Sequence, residues 1–305
     1  MEPTLKNLLK NLVTHHSKMK VLLFFSFIYL ANCSTWRSGF LSPSVSFTES
    51  GKKFLIYQVK YEETNSWNPM IGTTDKKNFE SRIQIHELIN GDAKMKQDKK
   101  FPFWIFPNSV FYSEKSEKIY FVQGTDKGYG TADVRISSID SELNTISPIW
   151  KDGEKFLLMK ILPSPDFEKI ALILSTDVNA SEVKYFIEII DSTGKSITKE
   201  SIAFWFDSPE YAISWEKDSN VLFIRMKETV SKMELKTKGL KQIKLFPECF
   251  TPGTSMGSGI SLDKKSLQFT DIQDKLTFKI IPVPEFIPYP SIKKSGSFAK
   301  FCSLE

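Results

Sequence analysis

Five turn-forming stretches, each leading through lysine into a β-rich apolar run, recur along the chain, and this periodicity narrows the fold most. The clearest copy runs from Ser164 through Pro165, Asp166 and Lys169 into Ile170-Ala171-Leu172-Ile173. The layout returns from Ser113 to Phe121 and from Ser261 to Phe269. Looser copies run from Thr48 to Ile56 and from Trp215 to Phe223. The copies start at residues 48, 113, 164, 215 and 261, so successive spacings are 65, 51, 51 and 46 residues. A four-stranded propeller blade takes about 40–50 residues.

Each anchor has a companion downstream: Arg82 to Leu88, Asp133 to Asp140, Val183 to Ile190, Lys232 to Lys236, and Lys275 to Ile280. The companions mostly alternate apolar and polar residues, as half-exposed strands do. The anchors are nearly continuous apolar runs, as strands covered on both faces are. That contrast suits sheets stacked radially, with inner strands sandwiched between neighbours. The expected fold is all-β: a β-propeller of about five to six four-stranded blades over residues 33–305, behind an N-terminal leader helix. A sixth blade has room between residues 48 and 113, or is completed from both termini. In the latter case Trp36 to Phe47 supplies the outer strand of the last blade and closes the ring. A β-sandwich is the alternative, and the number of copies speaks against it.

Ser-Pro-Asp-x-x-Lys-Ile at residues 164–170, with the strand ending at Asp191-Ser192-Thr193-Gly194, resembles the WD40-like propeller repeats of the TolB family. The resemblance covers roughly residues 40–285 and is best at 164–194. It implies a propeller blade and little about activity: the Ser and Asp side chains close a turn, and the apolar run fills the interface between blades.

Residues 1–32 read as a signal peptide, with translation starting at Met1 or Met19. Lys18 and Lys20 flank an apolar core from Val21 to Leu30, within the 7–15 residues or so of a signal h-region. A spanning helix needs about 20. Leu30-Ala31-Asn32-Cys33 resembles a lipobox, with Asn32 in place of the usual small residue, as spirochaetal lipoproteins tolerate. The resemblance implies cleavage before Cys33 and acylation of its thiol, hence a bacterial cell-envelope protein held to a membrane by lipid. Ser34 carries no inner-membrane retention charge, which points to the outer membrane. The competing reading is a buried core helix that happens to precede a cysteine.

The formal charge of +5 is mostly leader. Without residues 1–32, which hold four lysines and one glutamate, 37 basic and 35 acidic residues remain, a net of +2. A nucleic-acid partner would want a strong basic excess. Lys94, Lys96, Lys99 and Lys100 read as a solvated loop. Cys249 and Cys302 are either a disulfide or two separate buried thiols. No spacing suggests zinc, and no cofactor is expected.

Gly253-Thr254-Ser255-Met256-Gly257 matches a nucleophile elbow. That elbow needs a strand before it and a helix after it, whereas Pro252 precedes and Gly259 follows. The hydrolase arrangement also needs a later histidine. His15 and His16 leave with the leader, and His86 lies upstream on a strand, as an outer-face or blade-interface side chain. The sialidase box is missing its glycine and tryptophan after Asp166. Binding is the better reading, through loops joining the second and third strands of each blade: Tyr61 to Ser81, Gly124 to Thr131, and Asp177 to Glu182. Trp67, Asn68, Met70, Asp126 and Tyr129 are the candidate contacts. The expectation is a lipid-anchored propeller that binds a protein or envelope component without catalysis. A glycan- or peptide-acting hydrolase or lyase on the same scaffold, and a purely structural or surface-antigen role, are the alternatives.

Overall fold

The apolar anchor runs become the second strand of each sheet and are covered on both sides. The computed structural model describes residues 34–66, 74–106, 109–124, 134–151, 157–176, 183–202, 212–226, 229–237, 239–243, 249–251, 253, 259–261, 263–271, 276–289 and 291–292. Among these there is no α-helix. Residues 1–32, the expected leader, and Cys33 lie outside the described residues.

In the first sheet, β1 (Ser34–Phe40) and β2 (Ser44–Phe47) lie end to end along one edge of β3 (Lys53–Ser66), followed by β4 (Thr74–Ile89) and β5 (Asp92–Phe101). The second sheet repeats this interrupted inner strand. Here β6 (Trp104–Ile105) and β7 (Phe111–Ser113) share the edge of β8 (Lys118–Gly124), then come β9 (Arg135–Asp140) and β10 (Ile146–Lys151). The third is a plain meander of β11 (Leu157–Pro163), β12 (Lys169–Ser175), β13 (Tyr185–Asp191) and β14 (Ser196–Ile202). So is the fourth, with β15 (Ala212–Trp215), β16 (Val221–Met226), β17 (Thr229–Glu234) and β18 (Leu240–Ile243). The fifth position is reduced. It holds β19 (Phe250–Thr251), the hairpin of β20 (Lys265–Asp271) and β21 (Thr277–Pro282), and β22 (Ser291–Ile292), which pairs with β19. Every pairing is antiparallel.

Side chains alternate across a strand, and the alternation assigns each second strand to two neighbours. On β3, Leu55, Tyr57 and Val59 pack with Ile119 and Phe121 of the second sheet, while Phe54 and Ile56 pack with Leu267, Phe269 and Phe278 of the fifth. On β8, Tyr120 and Val122 face Ile170, Leu172 and Leu174 of the third sheet. On β12, Ala171 and Ile173 face Leu222 and Ile224 of the fourth. On β16, Val221 and Phe223 face Cys249 and Phe250. The sheets therefore follow one another around a ring, and the last meets the first: this is a β-propeller. Each such fully covered aliphatic side chain contributes at most about 1.5–3 kcal/mol.

Ring closure departs from the expected strand exchange. Residues 36–47 do not complete the last sheet. They pair with β3, from Phe40 opposite Lys60 to Phe47 opposite Phe54. The short turn at 48–53 makes that hairpin local, and closing a short loop costs less entropy than a return across the whole chain. The ring is closed instead by apolar packing and by the Gly259 N–H donating to the Val45 carbonyl at 2.7 Å. Nor does a sixth blade occupy the first interval, which is filled by the 14 residues of β3 and the 16 of β4. The lysine run is not a loop either. It lies on β5, an outer strand whose lysines guard the sheet edge. There Lys96 pairs with Glu87 at 2.6 Å and Lys100 with Glu80 at 2.9 Å.

The unequal fifth position makes a prediction. Ile173 is 1% exposed and Leu267 is 9% exposed. Ile173→Ala should cost about 2–5 kcal/mol in urea unfolding, and Leu267→Ala should fall at or below the low end of that range. Amides of β20 and β21 should exchange before those of β12 and β13; the reverse order would contradict a weak fifth sheet.

Candidate functional site

The two ends of the ring differ in kind. One end carries the turns between the first and second strands. Ser164 Oγ donates within its turn, where Asp166 Oδ1 lies at 2.6 Å and the Lys169 carbonyl at 3.0 Å, and it accepts the Lys169 N–H at 3.0 Å. Thr48 and Ser261 close their turns on the carbonyls of Lys53 and Lys265 in the same way. Each turn passes through a left-handed residue: Gly51, Glu117, Phe167, Ser219 and Lys264.

Neighbouring turns are tied together. Ser50 donates from its amide and hydroxyl to the Glu114 carboxylate at 3.0 and 2.7 Å, and the Glu114 amide donates to Glu49 Oε2 at 3.0 Å. Lys115 pairs with Glu168, and the Asp166 amide donates to Ser219 Oγ at 3.0 Å. Burial holds the Glu49 carboxyl above the usual carboxylate range, and the charges of Glu114 and Asp166 add to that, while the amide of Glu114 opposes it. For Asp166, burial also pushes upward, but Ser164, the Glu168 amide and Lys169 outweigh it and hold the group low. These carboxylates serve as rivets between turns. No group of three or more histidine, cysteine or acidic side chains among the described residues is arranged to hold a metal.

The opposite end carries the loops joining second to third strands. From it rises a three-stranded arm made of β1, the last residues of β3 and the first of β4. Pairing runs from Ser34 opposite Ser66 and from Asn65 opposite Thr74. Most of the expected loop from Tyr61 to Ser81 is therefore strand. Its foot is held by aromatic rings: Tyr61 on Phe79 at 6.3 Å, Phe79 on Trp104 at 5.1 Å, and Trp104 on Phe106 at 4.1 Å. Gly39 is seated against the Tyr61 ring, where a Cβ would lie 2.5 Å from Cζ. The charged stretch Glu62-Glu63 hides this arm from a reading by alternation; the aromatic pair Tyr61 and Phe79 is the signal that would have found it.

Of the predicted site residues, Cys33, Trp67, Asn68, Met70, Asp126, Tyr129 and Cys302 lie outside the described residues, as does Ser255. Cys249 is buried beside Phe250 and is disulfide-bonded. His86 is an interface side chain. It stacks on Phe54 at 5.0 Å and 5° and meets the edge of Phe278 at 5.4 Å, within the closing seam. Its Nε2 lies 3.5 Å from Gln84 Oε1, and its Nδ1 is buried without a hydrogen-bond partner. Burial lowers its pKa to about 4, against a raising influence from Asp98.

No family model matches the chain, and no curated protein does. Among solved structures, an oligogalacturonate lyase in complex with manganese is similar at 11% identity and a TM-score of 0.43, over 79% of this chain and 65% of that one. The oligogalacturonate lyase of Vibrio parahaemolyticus is similar at 12% and 0.45, over 82% and 67%. Prolyl oligopeptidase B of Galerina marginata follows at 13% and 0.38, over 80% and 30%. This chain thus spans about two thirds of the lyases and under a third of the peptidase. At these values none of their activities carries over.

Two predictions follow from the turns and the seam. Lys264 is exposed at φ 62°, a conformation glycine adopts freely. Lys264→Gly should raise stability by roughly 0.5–1 kcal/mol, and a lower melting temperature would contradict the strain argument. Unfolded histidine titrates near 6.5, above the folded His86, so the unfolded state binds the proton more readily. Stability from His86 is complete above about pH 6.5 and is lost as pH falls through 4. His86→Phe should flatten the melting-temperature profile between those values, by up to about 3 kcal/mol at the acid end. Parallel profiles for the variant and the parent would refute the assignment.

Proposed function

We propose that the chain is a lipid-anchored, TolB-like propeller of the bacterial cell envelope, outer membrane rather than inner, that binds a protein or envelope component through its loop end without catalysis. The observation that carries this reading is the ring of sheets, which makes the chain a propeller, taken with the sequence pattern that sets an apolar leader before Cys33. The engagement of Glu49, Glu114 and Asp166 in turn-to-turn hydrogen bonds favours binding over acid–base chemistry at the other end. Trp67, Asn68 and Met70, which lie between β3 and β4 in sequence, and Asp126 and Tyr129, which lie between β8 and β9, are the proposed contacts.

The anchor is tested by labelling cells with a fatty-acid analogue. Wild type should take up label and Cys33→Ala should not; equal labelling ends the lipoprotein reading. The binding end is tested by crosslinked pull-down from envelopes. Replacing Trp67, Asn68 and Met70 together should abolish capture while leaving the circular-dichroism melt unchanged. Unchanged capture would move the contact surface elsewhere.

A further inference from the structure

We infer that the arm is a rigid strut that holds the ring's loop end toward the bilayer, with the turn end facing away. The inference rests on the proposed acylation of Cys33 and goes beyond it, because acylation alone leaves orientation free. Three observations carry it. First, pairing begins at the residue after Cys33. Ser34 is already paired with Ser66, and the ladder continues without a break through Trp36 opposite Thr64 to Phe40 opposite Lys60. Cys33 is the immediate chain neighbour of this paired strand. Second, the foot of the strut, where the β3–β4 ladder shifts register between Lys60 and Glu62, is fastened by further contacts. The Leu41 amide donates to the Val59 carbonyl at 2.8 Å, Lys60 sits 5.9 Å over the Phe40 ring, and Asn78 donates to Glu62 at 2.6 Å. The ring stack through Phe79 and Trp104 joins it to the second sheet. Third, β1 points away from the turns at 48–53, because β2 continues it toward them along the same edge of β3.

Seven strand residues span about 20 Å or slightly more, which sets the stand-off between the bilayer and the ring. The partner surface is thus a phospholipid bilayer, reached through acyl chains. Residues 34–40, 60–66 and 74–80 hold Arg37, Lys60, Lys76 and Lys77 against Glu62, Glu63, Asp75 and Glu80, so the arm has no net charge to draw it to anionic lipid. The orientation is set by the ladder and is insensitive to salt. A binding partner at the loop end then approaches from the membrane side.

The test uses full-length acylated protein in phosphatidylcholine vesicles containing a fluorescent acceptor lipid. Donor dyes are placed, one at a time, at Ser38 on the arm and at Lys217 on a turn, both exposed, through a non-natural amino acid so that native cysteines stay untouched. Energy transfer from Ser38 should exceed that from Lys217 at least two-fold, with or without added salt. Inserting ten Gly/Ser residues between Cys33 and Ser34 should erase the difference. Flotation with the vesicles but equal transfer from both positions overturns the strut and leaves the anchor standing, as does an insertion without effect. Failure to float, together with absent fatty-acid label, overturns the anchor and the strut alike.

Discussion

Everything in this molecule depends on one packing arrangement: a strand whose two faces belong to two different neighbours. In β3, β8, β12 and β16, odd and even side chains enter separate apolar interfaces. The second strands of the first four sheets have no free face to cover, so no helix is needed there as a second layer. The cost of this economy is that every interface requires the next sheet to exist, all the way around. In the turns, hydroxyls and carboxylates satisfy the backbone and tie the first four turns to one another in sequence.

What could be read from the sequence follows from that arrangement. A strand covered on both faces must be apolar without a break, and such runs stand out, which is why Ile170 to Ile173 and Ile119 to Phe121 marked their sheets. Their companions were legible for the opposite reason, since a half-covered strand alternates. The outer strand β5 was not. With both faces partly wet, its pattern of lysines and aspartates looks the same as a loop, and only the pairing to β4 distinguishes them. The arm failed for a related reason. Glu62, Glu63, Lys76 and Lys77 give no apolar stripe to a ribbon that stands clear of the core.

Closure is not legible in the sequence, because pattern says where a strand is and not which edge it joins. The apolar residues of β2 would have served the last sheet as well as the first. The choice is made by chain connectivity, through the short turn between Phe47 and Lys53. The candidate contacts at 67–70 and 126–129 rest on topology and composition alone. His86, by contrast, was placed correctly on a strand, but its stacking between Phe54 and Phe278 depends on residues almost two hundred positions apart, and no local signal carries that distance.

The closing seam also differs from the others in its history during folding. Four of the interfaces join pieces that leave the ribosome one after another, so each can form on a template already in place. The seam joining β3 to β20 and β21 must wait for residues beyond 265 and then bring together the most distant parts of the chain. With no exchanged strand among the described residues to latch it, this joint forms last and opens first. An incomplete ring exposes Phe54 and Ile56 during that interval, which makes the nascent first sheet the most adhesive surface of the growing chain.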